Sequence, residues 1–403
     1  MNTQKKKLSI TTKIFLGLIV GVLIGIFAPG RADWMLNVTD LFGSIYMHAL
    51  NMVIYPMVFC SIVDGICSVG SIGVTGKISG RTMIFFTGTT LLASFVGLVV
   101  PRLIGLGKGV TIEMAEAEVE AVQFVSMLDT VKNLIPSNPV AAFAEGNMLQ
   151  VLVFAVIVGI TALAIGEKAK PAVTLIVSLN EIFMKIITVV MLFTPLGVLC
   201  TIAPVVAANG IDTVISLIQA LAALYIAFFA FAFIVYGGLI KSKGGKPIHF
   251  FKAIMPAALN AFGTCSSSAT IPISKKCAEE GLGVSNKITS LVLPLGATIN
   301  MDAVSILMSF MITFFANACG VEVSIGLMVI VLLSNVLLSM GTPGVPGAAI
   351  ASFAALASIA GLPAGVMGIY ISINTLCDMG ATCVNVLGDL ACAEYLNRTM
   401  HLD

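Results

Sequence analysis

Apolar runs of about 18 residues or more return along nearly the whole of this 403-residue chain, each long enough to cross bilayer hydrocarbon as a helix. That one feature leaves few folds, because in lipid every backbone N–H and C=O must be satisfied by the protein itself. Only helices and closed β-barrels manage this. Strands alternating at period two are absent from the pattern, so a bundle of helices remains. Composition agrees: 58% of the residues are hydrophobic and 10% are Asp, Glu, Lys or Arg, where a soluble domain carries about 25% charge. The first tract, near Ile14–Ala28, follows lysines without a small-residue cleavage site, and reads as a retained first helix. Nine cysteines lie scattered in apolar segments, without disulfide or zinc spacing, as small hydrophobes. A net charge of +1 with no basic stripe excludes nucleic acid as a partner. His48, His249 and His401 join no nucleophile–base set, so the chain is not expected to be an enzyme.

Spans are expected at about residues 11–28, 38–64, 82–105, 143–166, 172–202, 211–240, 288–317 and 365–392. Two further apolar stretches, about 251–283 and 320–360, are interrupted by small polar residues, glycine or proline. The first holds GTCSSSATIP at 263–272 and the second GTPGVPG at 341–347. Each suits a helix–turn–helix that enters and leaves on one side, its tip buried in protein. Lysines and arginines mark alternate connections: Lys5, Lys6, Lys7 and Lys13; Lys77 and Arg81; Lys168 and Lys170; Lys241, Lys243, Lys246 and Lys252; and Arg398. The positive-inside rule then puts both termini of an eight-span protein in the cytoplasm, in a bacterial inner membrane.

Asp302, Asp378 and Asp389 lie inside long apolar tracts, where a lone carboxylate costs several kcal/mol unless it meets a cavity, a partner or a cation. Intramembrane cationic side chains are scarce, Lys185 being the obvious one. Bound cations or a solute ammonium group are the economical partners. Asp378, Thr382, Asn385 and Asp389 follow at steps of four, three and four, a single stripe on one helical face, which Asn374 extends by a turn. Asn300 and Asp302 would diverge by about 200° in an intact helix. Pro294 and Gly296 just before them suggest local unwinding, which frees carbonyl oxygens for ions. Ser266, Ser267 and Ser268 offer hydroxyls and helix-start N–H groups that suit a carboxylate.

These segments resemble the glutamate transporter family, the dicarboxylate/amino acid:cation symporters. The resemblance rests on SSSATIP at 266–272, PLGATINMD at 294–302, GTPGVPG at 341–347 and DMGATCVNVLGD at 378–389, with IPSNP at 135–139 followed by AEGNMLQVLVFAVIVG. It covers essentially the whole chain. It implies an all-α polytopic fold of eight transmembrane helices and two re-entrant helical hairpins, built as inverted repeats and assembled as a homotrimer in the lipid bilayer. A scaffold (1–80 and 111–206) would hold a transport unit (81–110 and 207–403) that moves across the membrane like an elevator, coupled to Na⁺, with no other cofactor. By position, Gly296, Asn300, Asn385 and Asp389 resemble one sodium site. Thr298, Ser339, Met340 and Thr342 would give backbone oxygens to a second. Thr89, Thr90, Asn300 and Asp302 resemble a third, with Phe86 where family members have a tyrosine. Asp378 would hold a solute amine with Thr382 assisting, while Asn385 and the backbone near Ser267 and Val345 would hold its α-carboxylate.

Departures from the family pattern bear on the solute. Ala381 stands where acidic-substrate members have an arginine, Cys265 where archaeal members have another, and Val304 where a threonine is usual. Each change removes polarity or charge from one end of the cavity, and a second buried carboxylate would lose its bidentate partner. The reading at this level is a sodium-coupled symporter of a small neutral amino acid: serine, threonine or alanine. A larger neutral amino acid and an ion-conducting channel are the alternatives. An acidic amino acid or dicarboxylate is a further one, disfavoured by Ala381 and Cys265. Met308 replaces the glutamate of proton-coupled relatives, which favours sodium alone.

Overall fold

The computed structural model describes residues 10–29, 32–70, 76–108, 135–342, 344 and 346–400. Among them, regular structure is wholly helical. The order is α1 (Ile10–Phe27), α2 (Asp33–Gly70), α3 (Gly76–Leu103), α4 (Pro139–Ala144), α5 (Met148–Ile165), α6 (Lys170–Met191), α7 (Thr194–Asn209) and α8 (Ile211–Phe231). There follow α9 (Gly237–Ser242), α10 (Pro247–Thr264), α11 (Ser267–Lys276), α12 (Asn286–Ile299), α13 (Asp302–Ala318), α14 (Ile325–Met340), α15 (Ala348–Ile359) and α16 (Val366–Thr399). Wider π turns at Ala232–Tyr236 and Cys277–Gly281 follow α8 and α11.

Six helical stretches among the described residues are long and apolar enough to cross a membrane: Trp34–Cys67, Lys77–Leu103, Met148–Met191, Ile211–Ser242, Asn286–Ala318 and Val366–Thr399. With the shorter apolar helices α1, α7, α14 and α15, they make an all-α polytopic membrane protein. The expected continuous span at 172–202 is instead two helices. Leu192 and Phe193 form a turn, and the next helix starts at Thr194 with Pro195 in its first turn, where its missing N–H costs nothing. The span expected at 143–166 is divided too. Gly146 turns at φ +70° and the Asn147 side chain caps Gln150 at 3.3 Å.

Burial separates a centre from a rim. Residues Asp302 to Ala316 of α13 are all buried, and the most apolar window of Val366–Thr399 is 89% buried against 28% for Met148–Met191. A helix hydrophobic on every side needs protein on every side. Around α13 and α16 pack α3, α10 and α12, whereas α1, α2, α5, α6 and α7 pack on one another. Ile84, Ile226, Ile234 and Leu259, 65–75% exposed, face outward, the surface that lipid covers.

The tightest crossing of the centre is α3 on α13. A methyl group at Gly97 would lie 2.5 Å from the Ile306 carbonyl oxygen and 2.8 Å from Ser309 Cβ. Gly97→Ala is therefore expected to destabilise the detergent-solubilised protein by about 1–3 kcal/mol through overpacking. Gly80→Ala on the same helix, where nothing lies within 4 Å, should be neutral or slightly stabilising. Thermal unfolding of the pair checks this, and equal midpoints would show that the α3–α13 crossing gives way easily.

Candidate functional site

The break between α12 and α13 places the central polar groups. Helix α12 ends at Ile299, Asn300 takes up φ −82° and ψ 99°, Met301 takes up φ −124° and ψ 45°, and α13 starts at Asp302. Freed from helical phase, Asn300 turns toward α16. Its Nδ2 donates to Asp389 Oδ1 at 2.8 Å and to the Asn385 carbonyl at 3.0 Å. Asn385 Oδ1 accepts from the Ala303 N–H at 2.8 Å. Asn300 Oδ1 is buried without a hydrogen-bond partner, a free oxygen beside a carboxylate. Glycine is required on both sides. A Cβ at Gly296 would strike the Asp389 carboxylate, and one at Gly388 would sit 2.6 Å from both Asn300 Nδ2 and the Tyr236 hydroxyl.

Asp302 turns the other way. Oδ1 accepts from the Thr90 hydroxyl at 2.7 Å, and Oδ2 accepts from Tyr236 at 2.9 Å. Thr89, adjacent, donates to the Phe85 and Phe86 carbonyls. Tyr236, a residue the sequence reading passed over, is thus a phenol donor to Asp302. Its phase depends on the π turn that ends at Tyr236, and such turns recur at functional sites. An apolar run with one tyrosine carries no visible mark of a π turn.

A third group surrounds Asp378. Its Oδ1 accepts from Thr382 at 3.3 Å and its Oδ2 from the Gly347 N–H at 3.2 Å. Cys265, Ser267, Met301, Val304, Thr342, Gly344, Ala348, Ala349, Asp378, Thr382 and Asn385 line a cavity there of about 10 Å³, room for roughly one water. The tips of the two interrupted stretches close it: Ser266 Oγ donates to the Gly344 carbonyl at 3.1 Å, and the same oxygen lies 3.4 Å from the Ser268 nitrogen. Cys265 makes the turn into α11 in left-handed geometry, φ +50°, and Ser266 caps α11 through the Ala269 N–H at 3.1 Å.

Of the expected second cation set, the Ser339, Thr342 and Thr298 hydroxyls all engage backbone oxygens of their own helices, at Val336, Leu338 and Leu295. Thr342 also meets Ser352 at 2.6 Å. Met340 ends α14, and Val345 lies outside the described residues. Asn374 is buried with its Oδ1 unpartnered. Ala381 is fully buried and does not line the cavity.

Asp302, Asp378 and Asp389 are each at most 7% exposed. None of the ion pairs among the described residues includes any of them. Three buried carboxylates with hydrogen-bond donors but no cationic side chain call for positive charge from outside the protein.

The sequence matches the Sodium:dicarboxylate symporter family over residues 10–399. The chain belongs to that family. It is 29% identical over 402 residues to a proton/sodium-glutamate symport protein of Geobacillus stearothermophilus, covering 98% of this chain and 95% of that protein. A C4-dicarboxylate transport protein of Bacillus subtilis is 30% identical over 343 residues, 84% of this chain and 80% of its own. One of Rhodospirillum rubrum is 29% identical over 340 residues, 83% and 75%. As a Sodium:dicarboxylate symporter family member, the chain is a multi-pass inner-membrane transport protein and not an enzyme.

These relatives overturn the assignment to a neutral-amino-acid member of the family, together with serine, threonine or alanine as its partner. Their names are those of glutamate and C4-dicarboxylate carriers. Of the three residues that reading weighed, Cys265 and Val304 line the cavity and Ala381 does not. The fault was to take the absence of an arginine for the absence of any charge compensation, which a co-bound cation also supplies.

Tyr236→Phe is expected to destabilise the protein by about 1–3 kcal/mol, because Asp302 Oδ2 loses a buried donor. In an Asp302→Asn background the same change should cost measurably less. Thermal unfolding of the four proteins measures the coupling; additive shifts would mean that the 2.9 Å contact carries no energy.

Proposed function

We propose that this protein is a sodium-coupled symporter of an acidic amino acid, of the glutamate class. The observation that carries the proposal is the set of buried carboxylates without cationic partners, in a family whose description names sodium and dicarboxylates. Hard oxygen donors suit a small hard cation. Asn300, Asn385 and Asp389 with the backbone at Gly296 would hold one sodium ion. Thr89, Thr90, Asn300 and Asp302, with Tyr236 ordering the carboxylate, would hold another. Backbone oxygens at Thr298, Ser339, Met340 and Thr342 are the candidates for a further one.

Asp378 and Thr382 would receive the solute ammonium. The α11 start at Ser266 and Ser267, with Asn385, would receive a carboxylate through N–H and amide donors. Cys265 and Val304 border the remaining space. The solute's negative charge is then offset by the co-bound cations. A dicarboxylate without an amine would strand Asp378, a loss of several kcal/mol for a buried unpaired charge. This is why the amino acid is preferred within the acidic class.

Eight crossings with two re-entrant pairs, α10–α11 and α14–α15, are the topology proposed. Helical length supports it: α5 and α6 are separate helices of 18 and 22 residues, about 27 and 33 Å at 1.5 Å per residue, each close to one crossing. The lysine distribution supports cytoplasmic termini. In this reading segments 1–80 and 111–206 form a scaffold, and 81–110 and 207–403 a transport unit that carries the site across the membrane. The dense packing of α1, α2, α5, α6 and α7 on one another supports that division, with α7 also resting against α16.

Protein reconstituted in liposomes is expected to accumulate labelled glutamate or aspartate only under an inward sodium gradient, with succinate a weaker competitor. Preference for serine or alanine over every acidic solute would overturn the solute assignment, and indifference to sodium would overturn the coupling. Asp378→Asn should weaken glutamate binding by about 100-fold or more, the loss of a buried charge partner being worth about 3–5 kcal/mol. The test is equilibrium binding in saturating sodium; unchanged affinity would place the amine elsewhere.

A further inference from the structure

One turn beyond the Thr90–Asp302 contact lies a second polar layer that neither the cation nor the solute reading uses. It is formed by Ser94 of α3, Ser305 and Ser309 of α13, and Asn335 of α14, all fully buried. Asn335 Nδ2 donates to the Ser305 carbonyl at 2.8 Å, to Ser309 Oγ at 2.7 Å and to Ser94 Oγ at 3.0 Å. The Ser94 and Ser309 hydroxyls lie 3.1 Å apart. Each member is close in sequence to a residue of the proposed transport site: Ser94 four after Thr90, Ser305 three after Asp302, Asn335 four before Ser339.

We propose that Asn335 is a positioning residue that couples cation binding at Asp302 to the seating of the Gly344 and Gly347 contacts beside Asp378. This rests on the sodium-coupled reading above. Helices α3 and α13 form one unit, locked where Gly97 meets Ile306. Asn335 ties α14 to that unit. Five residues after Asn335, α14 ends at Met340, and the chain runs into the tip whose Gly344 carbonyl accepts from Ser266 and whose Gly347 N–H reaches Asp378. The Ser305 peptide belongs to the first turn of α13, its N–H bonded to the Met301 carbonyl at 2.8 Å. Asp302 and the Ser305 carbonyl that Asn335 holds thus lie within one turn of the same helix.

The layer is built to shift. An amide nitrogen has two N–H bonds, and Asn335 Nδ2 faces three acceptors, so its partners can exchange. Asn335 Oδ1 and Ser305 Oγ are buried with no partner. A layer kept only for stability would be apolar or fully paired, because orphaned buried groups destabilise. A polar tether whose one amide faces three acceptors across α3 and α13 is placed to link those helices to α14.

The experiment uses the full-length protein in detergent, with sodium titrated against glutamate binding and, without solute, against thermal stability. For Asn335→Leu, similar in size and unable to donate, the sodium concentration for half-maximal glutamate binding should rise about tenfold and its Hill slope should fall toward one. Glutamate affinity at saturating sodium should stay within about threefold of wild type, and stabilisation by sodium alone should keep its midpoint. A merely structural role would lower thermal stability and leave the sodium dependence of binding unmoved, and that result overturns the proposal. Loss of the solute-free sodium response would overturn it too, since Asn335 would then belong to the cation site. Ser309→Ala, which removes one acceptor and no volume of note, should shift the same curve by about two- to threefold and serves if the leucine variant does not fold; an unmoved curve there overturns the proposal equally. A wild-type protein indifferent to sodium takes down both readings, whereas a sodium-dependent wild type with superimposed variant curves takes down this one alone.

Discussion

The structure turns on carboxylates that are buried, hydrogen-bonded and left without a counter-charge of the protein's own. Asp302 has Thr90 and Tyr236, Asp389 has Asn300, and Asp378 has Thr382 and the Gly347 N–H. Neutral donors orient an anion without neutralising it, so a deficit of positive charge remains at the centre of the molecule. The broken helix at Asn300–Met301, the glycines that let Asn300, Tyr236 and Asp389 come together, and the all-round burial of α13 all serve to keep that deficit dry and in place.

Beside Asp378 the two interrupted stretches meet, through Ser266, Ser268 and Gly344. The cavity there holds about one water in volume, and its roof is a pair of contacts to a single carbonyl, that of Gly344. Roof and floor are different parts of the chain joined only locally, and such joints open at small cost.

Much of this was legible in the residues. The four-three-four spacing on α16 placed Asp378, Thr382, Asn385 and Asp389 on one face, and proline and glycine ahead of Asn300 marked the unwinding. Spans were legible as apolar length, but their interruptions were not: Phe193 and Gly146 break two of them without changing the hydropathy. Tyr236 was invisible because a π turn rotates the residues after it out of the phase that a 3.6-residue count assigns. Ala381 misled for a related reason. Sharing a helix with Asp378 says nothing about which neighbours fill the space in front of a side chain, and that space decided which residues face the cavity.

Helix α13 sits at the centre of the molecule yet starts 302 residues into the chain, and its contacts with α3 span more than 200 residues of sequence. Until it is synthesised, the hydroxyls of Thr90 and Ser94 lack their partners, and the face of α3 that carries them stays open. The earlier helices of the rim pack on one another and can assemble during that interval. In chain order the rim helices thus precede the central one, and the contacts that complete the centre are long-range ones, intrinsically slow to form.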